Sequence, residues 1–266
     1  MPAFLLPALL FIAVGGAALS YTLPGRTTLA YLRTPDLIAS PKDANVIFQP
    51  GSETMADLLA QSLPEAMARV EAAQGSRFRH PITIRLFSDW QDFKTYTGFS
   101  GQAAAVTQLD RISFSPKLMD DPARARVILT HELSHALLHQ NMGIHQHGLP
   151  SWFDEGLAVL ISDDGSAPAV LFSKEEALTA LHAGRNILPD EEESLFTHQT
   201  ANAFGLNEGE FYRQSELFVG YMRDSYPEAF GKLLAGLSQG HPFPDALRES
   251  YAQPISKLWQ AFCRAS

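Results

Sequence analysis

The sequence predicts an α+β fold, with a small mixed β-sheet and helices in the N-terminal half and a mostly helical C-terminal half. Three observations point there. Residues 81–87 (PITIRLF) alternate Ile82, Ile84 and Leu86, the period of a strand with one buried face. Residues 103–106 and 111–115 (RISFS) read as two further strands, joined as a hairpin through Gln108, Leu109 and Asp110. From Asp121 onward the apolar residues recur at helical spacing between Gly, Pro and Asp breaks.

The elements follow in order. Residues 45–48 (NVIF) form a short apolar run that stops at Gln49-Pro50-Gly51, a turn signal. Ser52 opens a helix to about Ala73, with Met55, Leu58, Leu59, Leu63, Met67 and Val70 near helical spacing and Glu53 in the first turn. Pro64 is expected to kink or split it, because proline removes one backbone donor and crowds the preceding turn. After the strand at 81–87, Ser88-Asp89 caps a short helix over 90–97, which Gly98 and Gly101 end. Pro116 closes the hairpin's second strand. Asp121-Pro122 starts a helix to about Gln140, with proline in the first turn, where its missing N–H costs nothing. Further helices are predicted at 151–162, 174–183, 209–225, 227–237, 245–250 and 254–264. The acid run 191–193 reads as a solvated surface.

Composition limits what such a fold does. The 266 residues give room for one or two domains with a real core. Hydrophobic residues are 45% and charged residues 18%, a globular balance. The formal charge of −9 argues against a nucleic-acid surface, since phosphate contacts need a cationic face. The single cysteine, Cys263, excludes an intrachain disulfide and a cysteine zinc finger.

Residues 1–25 carry no charged side chain, and residues 4–23 are apolar over a length that spans a bilayer as a helix. Residues 1–25 are therefore read as a signal peptide or membrane anchor. Ala18-Leu19-Ser20 has the small-residue spacing of a cleavage site after Ser20. Against a standard export signal, no Lys or Arg precedes the run. Arg26 and Arg33 follow it, which the positive-inside rule reads as a cytoplasmic domain. Export or anchoring in a cell envelope is the preferred reading. Residues 26–41 lack periodicity and are expected to be a linker, with a single domain over 42–266.

The chemistry concentrates in residues 130–162. His131, Glu132 and His135 form H-E-x-x-H, which on a helix puts both imidazoles on one face, one turn apart. Two such rings can hold one zinc ion, and Glu132 stands beside the metal, where a general base takes a proton from water that the ion activates. The apolar neighbours Val127, Ile128, Leu129, Leu133, Ala136 and Leu137 imply burial, and buried polar groups need partners.

A third ligand is required, leaving a fourth position for water. His139 continues the series, but three ligands in line along a helix span about 12 Å and cannot converge on one ion. The extended metzincin motif needs Gly at 138 and His at 141, where this chain has Leu138 and Asn141. Two candidates stay open: His145 or His147 in a Gly-containing loop, and Glu155, 20 positions after His135 at the start of the next helix. An antiparallel return of that helix favours Glu155.

Residues 131–135 (HELSH) followed by residues 149–158 (LPSWFDEGLA) resemble the gluzincin zinc metallopeptidases, more narrowly the peptidase MA-like group of bacterial proteins. The likeness extends to residues 81–87, 111–115 and 211–222, and covers roughly residues 45–265. It implies a thermolysin-like catalytic core, one Zn2+ per chain held by His131, His135 and Glu155, and Glu132 as base in the hydrolysis of peptide bonds. One departure stands out. Thermolysin-type members carry an Asp four positions after the ligand Glu that orients the first His, and here that position is Val159. Asp154 is expected to point elsewhere on its helix, with a surface position favoured over the alternative of supporting a zinc ligand.

Tyr212 is the candidate donor to the developing oxyanion, with Tyr221 second. The strand at 111–115 is expected to form a sheet edge on which an extended peptide substrate pairs. Two other readings compete with a peptidase: a catalytically silent, peptidase-like binding module of the bacterial envelope, and a zinc hydrolase acting on a non-peptide bond. Retention of Glu132 weighs against the silent module.

Overall fold

Residues 23–99, 101–191 and 199–266 are described by the structure, a computed structural model. The apolar run at 4–23, apart from its last residue, lies outside them, as do Glu192, Glu193 and His198. Among the described residues no helix is long and apolar enough to cross a membrane.

A mixed five-stranded sheet is built from β1 (Ile38–Ala39), β2 (Val46–Phe48), β3 (Thr83–Leu86), β4 (Ala105–Gln108) and β5 (Arg111–Phe114), in the order β1-β2-β3-β5-β4. β2, β3 and β5 run parallel, while β1 and β4 are antiparallel to their neighbours. The chain is α+β, as predicted. β5, however, is not an edge. It pairs with β3 on one side and β4 on the other, because a tight hairpin folds β4 back outside it. β4 is the edge.

The N-terminal segment is also different from the expectation. Residues 26–41 are not a linker. Helix α1 (Leu23–Tyr31) and strand β1 occupy half of it, and both are tied to the domain. The Tyr31 hydroxyl donates to Asp110 (2.8 Å), and the Arg111 guanidinium donates to the Tyr31 carbonyl (2.6 Å) while lying 3.9 Å from the Tyr31 ring centre. These partners are 79 and 80 positions away in sequence, so no local signal announces them.

One face of the sheet presents Val46, Phe48, Ile84, Leu86, Ile112 and Phe114 to the main core, shared with α2 (Glu53–Gln74) and α4 (Pro122–Met142). α2 continues through Pro64 as one helix. The other face of β3 was expected to be open, yet Arg85 is only 2% exposed there. Its guanidinium donates to Ser113 Oγ and Gln108 Oε1, beneath α3 (Trp90–Thr97) and the cluster of Phe87, Phe93 and Val106. Burial, with Arg111 nearby, pulls the Arg85 pKa down to about 10.

The sequence boundaries of α3 and α5 (Ser151–Ser162) agree with the structure. Asp89 caps α3 by accepting from the N–H groups of Gln91 and Asp92, and Asp121 caps α4 by accepting from Arg124 N–H. The remaining helices are α6 (Lys174–His182), α7 (Glu208–Ser225), α8 (Pro227–Ser238), α9 (Phe243–Ser250) and α10 (Ile255–Ala265). The run 191–193 is not purely solvated. Glu191 accepts a hydrogen bond from Ile255 N–H at the start of α10.

Two packing features position the site. α4 is buried on nearly every side from Ala125 to Leu138, between α2, the β4–β5 hairpin and α5. α5 crosses α7 so closely that a Cβ on Gly156 would sit 2.5 Å from the Ser215 carbonyl oxygen. Gly156 is therefore a contact requirement, and it is the residue after Glu155.

Candidate metal centre

α4 carries His131 and His135 one turn apart, with ring centres at 4.8 Å and planes at 80°. Their Nε2 atoms lie 3.1 Å from each other. The short 3₁₀ segment Gly143–Gly148 returns the chain, and α5 delivers Glu155 from the opposite side. Glu155 Oε2 stands 3.3 Å from His131 Nε2 and 3.5 Å from His135 Nε2. This oxygen is buried and has no hydrogen bond of good geometry. All three residues could hold a metal ion.

The donor separations test that fit. Ligands about 2.0–2.1 Å from a tetrahedral ion lie about 3.3 Å from one another. The three measured edges scatter around that value. A second cluster, His135, His139 and Asp154, behaves differently. Asp154 Oδ1 is 2.7 Å from His135 Nδ1, and Oδ2 is 2.8 Å from His139 Nε2. Those are charge-assisted hydrogen-bond lengths, shorter than ligand edges. The second cluster is a hydrogen-bonded chain attached to the first.

Asp154 thus departs from its expected surface position. An imidazole's two nitrogens face opposite ways, so residues adjacent on α5 can flank one ring. Asp154 takes the Nδ1 side of His135 and Glu155 the Nε2 side. His139 does not join the His131, His135 and Glu155 group; its Nε2 lies on Asp154 Oδ2. His145 and His147 are exposed and belong to neither cluster. Val159 is fully buried, and His131 Nδ1 is buried with no hydrogen-bond partner among the described residues.

Charge follows geometry. Burial pushes the Glu155 carboxyl up, but the charge on His135 and contact with both imidazoles outweigh it and hold it at about 2. Burial likewise opposes ionisation of Asp154, and His135 and His139 bring it well below the usual carboxylate range. His135 is pushed down by burial and more strongly up by Asp154 and Glu155, ending well above an ordinary histidine. Once His135 gives up its extra proton, the two ionised carboxylates would leave a double negative charge, which a divalent cation would neutralise.

Glu132 is next to the ligand triangle and not part of it. Its Oε2 accepts from the Thr107 hydroxyl at 2.7 Å, so edge strand β4 holds the carboxylate. Thr107 carries no sequence signal for this role. Tyr212 on α7 comes to the same place, its ring centre 6.5 Å from that of His131. Glu155 above all, then burial, Glu208, Glu132 and Asp154, raise its phenol pKa well above 10. Tyr221 does not reach the site, since it packs on Tyr226 and Phe262. Among these neighbours Arg213 is structural, anchoring to Glu216 and to the Phe172 and Val170 carbonyls.

Neither a protein-family model nor a curated protein matches this chain. The site therefore stands on its own geometry.

Proposed function

We propose that the chain is a zinc-dependent metallopeptidase with a thermolysin-like core, of the gluzincin, peptidase MA-like kind. The observation that carries this reading is the buried triangle of His131, His135 and Glu155 with Glu132 held beside it. Two nitrogens and one oxygen, which would leave a fourth position for water, are a donor set of the catalytic zinc type. Zinc, when bound, supplies a Lewis acid for the scissile carbonyl and brings the pKa of water towards ~7.

The chain's own residues do the rest. Glu132 accepts a proton from the attacking water and returns it to the leaving amine nitrogen. Thr107 keeps that carboxylate in one orientation. Tyr212 remains a protonated phenol and donates to the oxygen on which charge develops. The edge strand β4 accepts the substrate. Ser115 N–H pairs with the Ala104 carbonyl, so alternate residues Ala105 and Thr107 turn their backbone groups away from β5, towards an extended peptide. Residues 4–23 supply a membrane anchor or export signal, placing the domain at a bacterial cell envelope.

A silent binding module is the reading that competes, and one observation favours it: His131 Nδ1 has no hydrogen-bond partner among the described residues. A non-peptide hydrolase would use the same water activation. The test is hydrolysis of a fluorogenic peptide library by the full chain in detergent with stoichiometric zinc, beside Glu132→Gln. Cleavage that disappears in the variant while zinc stays bound supports the peptidase. A zinc-loaded wild type that cleaves no peptide, with ester or other substrates tested alongside, overturns it.

A further inference from the structure

We propose that His139 is a positioning residue for the metal ligand His135, acting through Asp154. The inference rests on the metal-centre reading and adds to it a residue that touches no ligand position.

The geometry has three parts. First, both Asp154 oxygens are engaged, one on each ring, at 2.7 and 2.8 Å. A carboxylate held at one oxygen can rotate about its terminal torsion, whereas one held at both cannot. Second, both rings come from α4, four positions apart, with centres at 5.9 Å. Asp154 therefore clasps one turn of α4 from α5, and locks the two helices in the register that sets Glu155 against His131 and His135. Third, the other candidate ligand, His131, has no such support among the described residues. The orientation of the centre consequently depends on His135.

The chain also assigns protons. With a metal bound, His135 Nδ1–H would donate to Oδ1 and the Nε2 lone pair would face Glu155 and His131, as a metal ligand requires. His139 donates from Nε2 to Oδ2. Asp154 and Glu155 are neighbouring carboxylates on opposite edges of one ring, and they repel. The His139 donor offsets that repulsion at Asp154 and leaves Glu155 free for the ion.

The experiment is zinc affinity of the full chain, by competition with a chromophoric chelator, for wild type, Asp154→Ala, His139→Leu, His139→Gln and the Asp154→Ala/His139→Leu double variant. Removing groups that orient a metal ligand typically lowers affinity by about 10–100-fold, so Asp154→Ala is expected in that range and His139→Leu near its lower end. His139→Gln, whose amide N–H reaches the same oxygen, is expected to restore binding to within about threefold of wild type, well inside the range of a lost orienting group. In the Asp154→Ala background His139→Leu is expected to change nothing, since its only route is gone. Circular dichroism of the metal-free variants checks folding, and the Gln variant keeps the test alive if Leu disturbs it. Wild-type affinity in His139→Leu, or losses that multiply in the double variant, would overturn the proposal. Absence of zinc binding by wild type would remove the centre itself, a result distinct from either.

Discussion

Thr107 Oγ1 lies 2.7 Å from Glu132 Oε2, joining the sheet's edge strand to the helix that carries both histidines. Hydrogen bonds to charged groups contribute about 1.5–3 kcal/mol. Thr107→Val, which keeps the shape and removes the donor, is expected to lower kcat for peptide hydrolysis roughly 10–100-fold with zinc content unchanged. Thr107→Ser should retain most activity. Loss of zinc from Thr107→Val would instead give Thr107 a role in folding the site.

Glu155 and the loop histidines separate cleanly. Glu155→Ala removes the only carboxylate of the ligand triangle and is expected to weaken zinc binding by more than about 100-fold, beyond the typical effect of losing an orienting group. His145→Ala and His147→Ala should bind as wild type, because both side chains face solvent. Metal content by mass spectrometry after dialysis reads all three.

The metal-free site has a definite pH signature. His135 titrates above its ordinary value of about 6.5, so its contribution is complete below that pH and is lost as pH rises through the folded value. Asp154 and Glu155 titrate below the ordinary range near 4, so theirs is complete above it and is lost as pH falls, towards about 2 for Glu155. The stripped protein is expected to have its highest Tm in mildly acidic buffer and to lose stability as pH rises through the raised His135 value. Zinc must displace the His135 proton, so the Tm gain on adding zinc should grow with pH. A gain that shrinks from pH ~6 to ~8 would contradict the assignment of that proton.

Gly156 tests the helix crossing. A methyl there meets the Ser215 backbone at 2.5 Å and Val219 at 2.8 Å. Overpacking costs about 1–3 kcal/mol, and Gly156→Ala is expected to lower Tm by roughly 2–10 °C. It should also weaken zinc binding, since Glu155 moves with α5. Gly231, mid-helix in α8 with nothing within 4 Å of an added Cβ, is the control. Gly231→Ala should raise stability by about 0.5–1 kcal/mol.

Tyr212→Phe removes a phenol that stays protonated at every working pH. If it donates to the developing oxyanion, kcat falls by about 10²–10³ while KM and zinc content hold. An unchanged kcat would leave Tyr212 as a wall of the site.

The legible part of this protein was local. Alternation at Ile82, Ile84 and Leu86 located β3, and Asp89 and Asp121 marked helix starts through their own neighbouring N–H groups. The i, i+4 spacing put His131 and His135 on one face before any fold was known, and it disqualified His139 as a third ligand. Glu155 needed one tertiary assumption, the antiparallel return of α5.

By itself, then, the sequence determined which residues can be ligands and on which helix they stand, because covalent geometry spaces them within a turn. Only the tertiary structure decided what lies across from them. It made β4 the edge in place of β5, tied α1 to Asp110 and Arg111, turned Asp154 inward to bridge His135 and His139, and put Thr107 on Glu132. Each of those contacts joins residues 15 or more positions apart on different elements. Their energies depend on packing between helices and sheet, which no local pattern encodes.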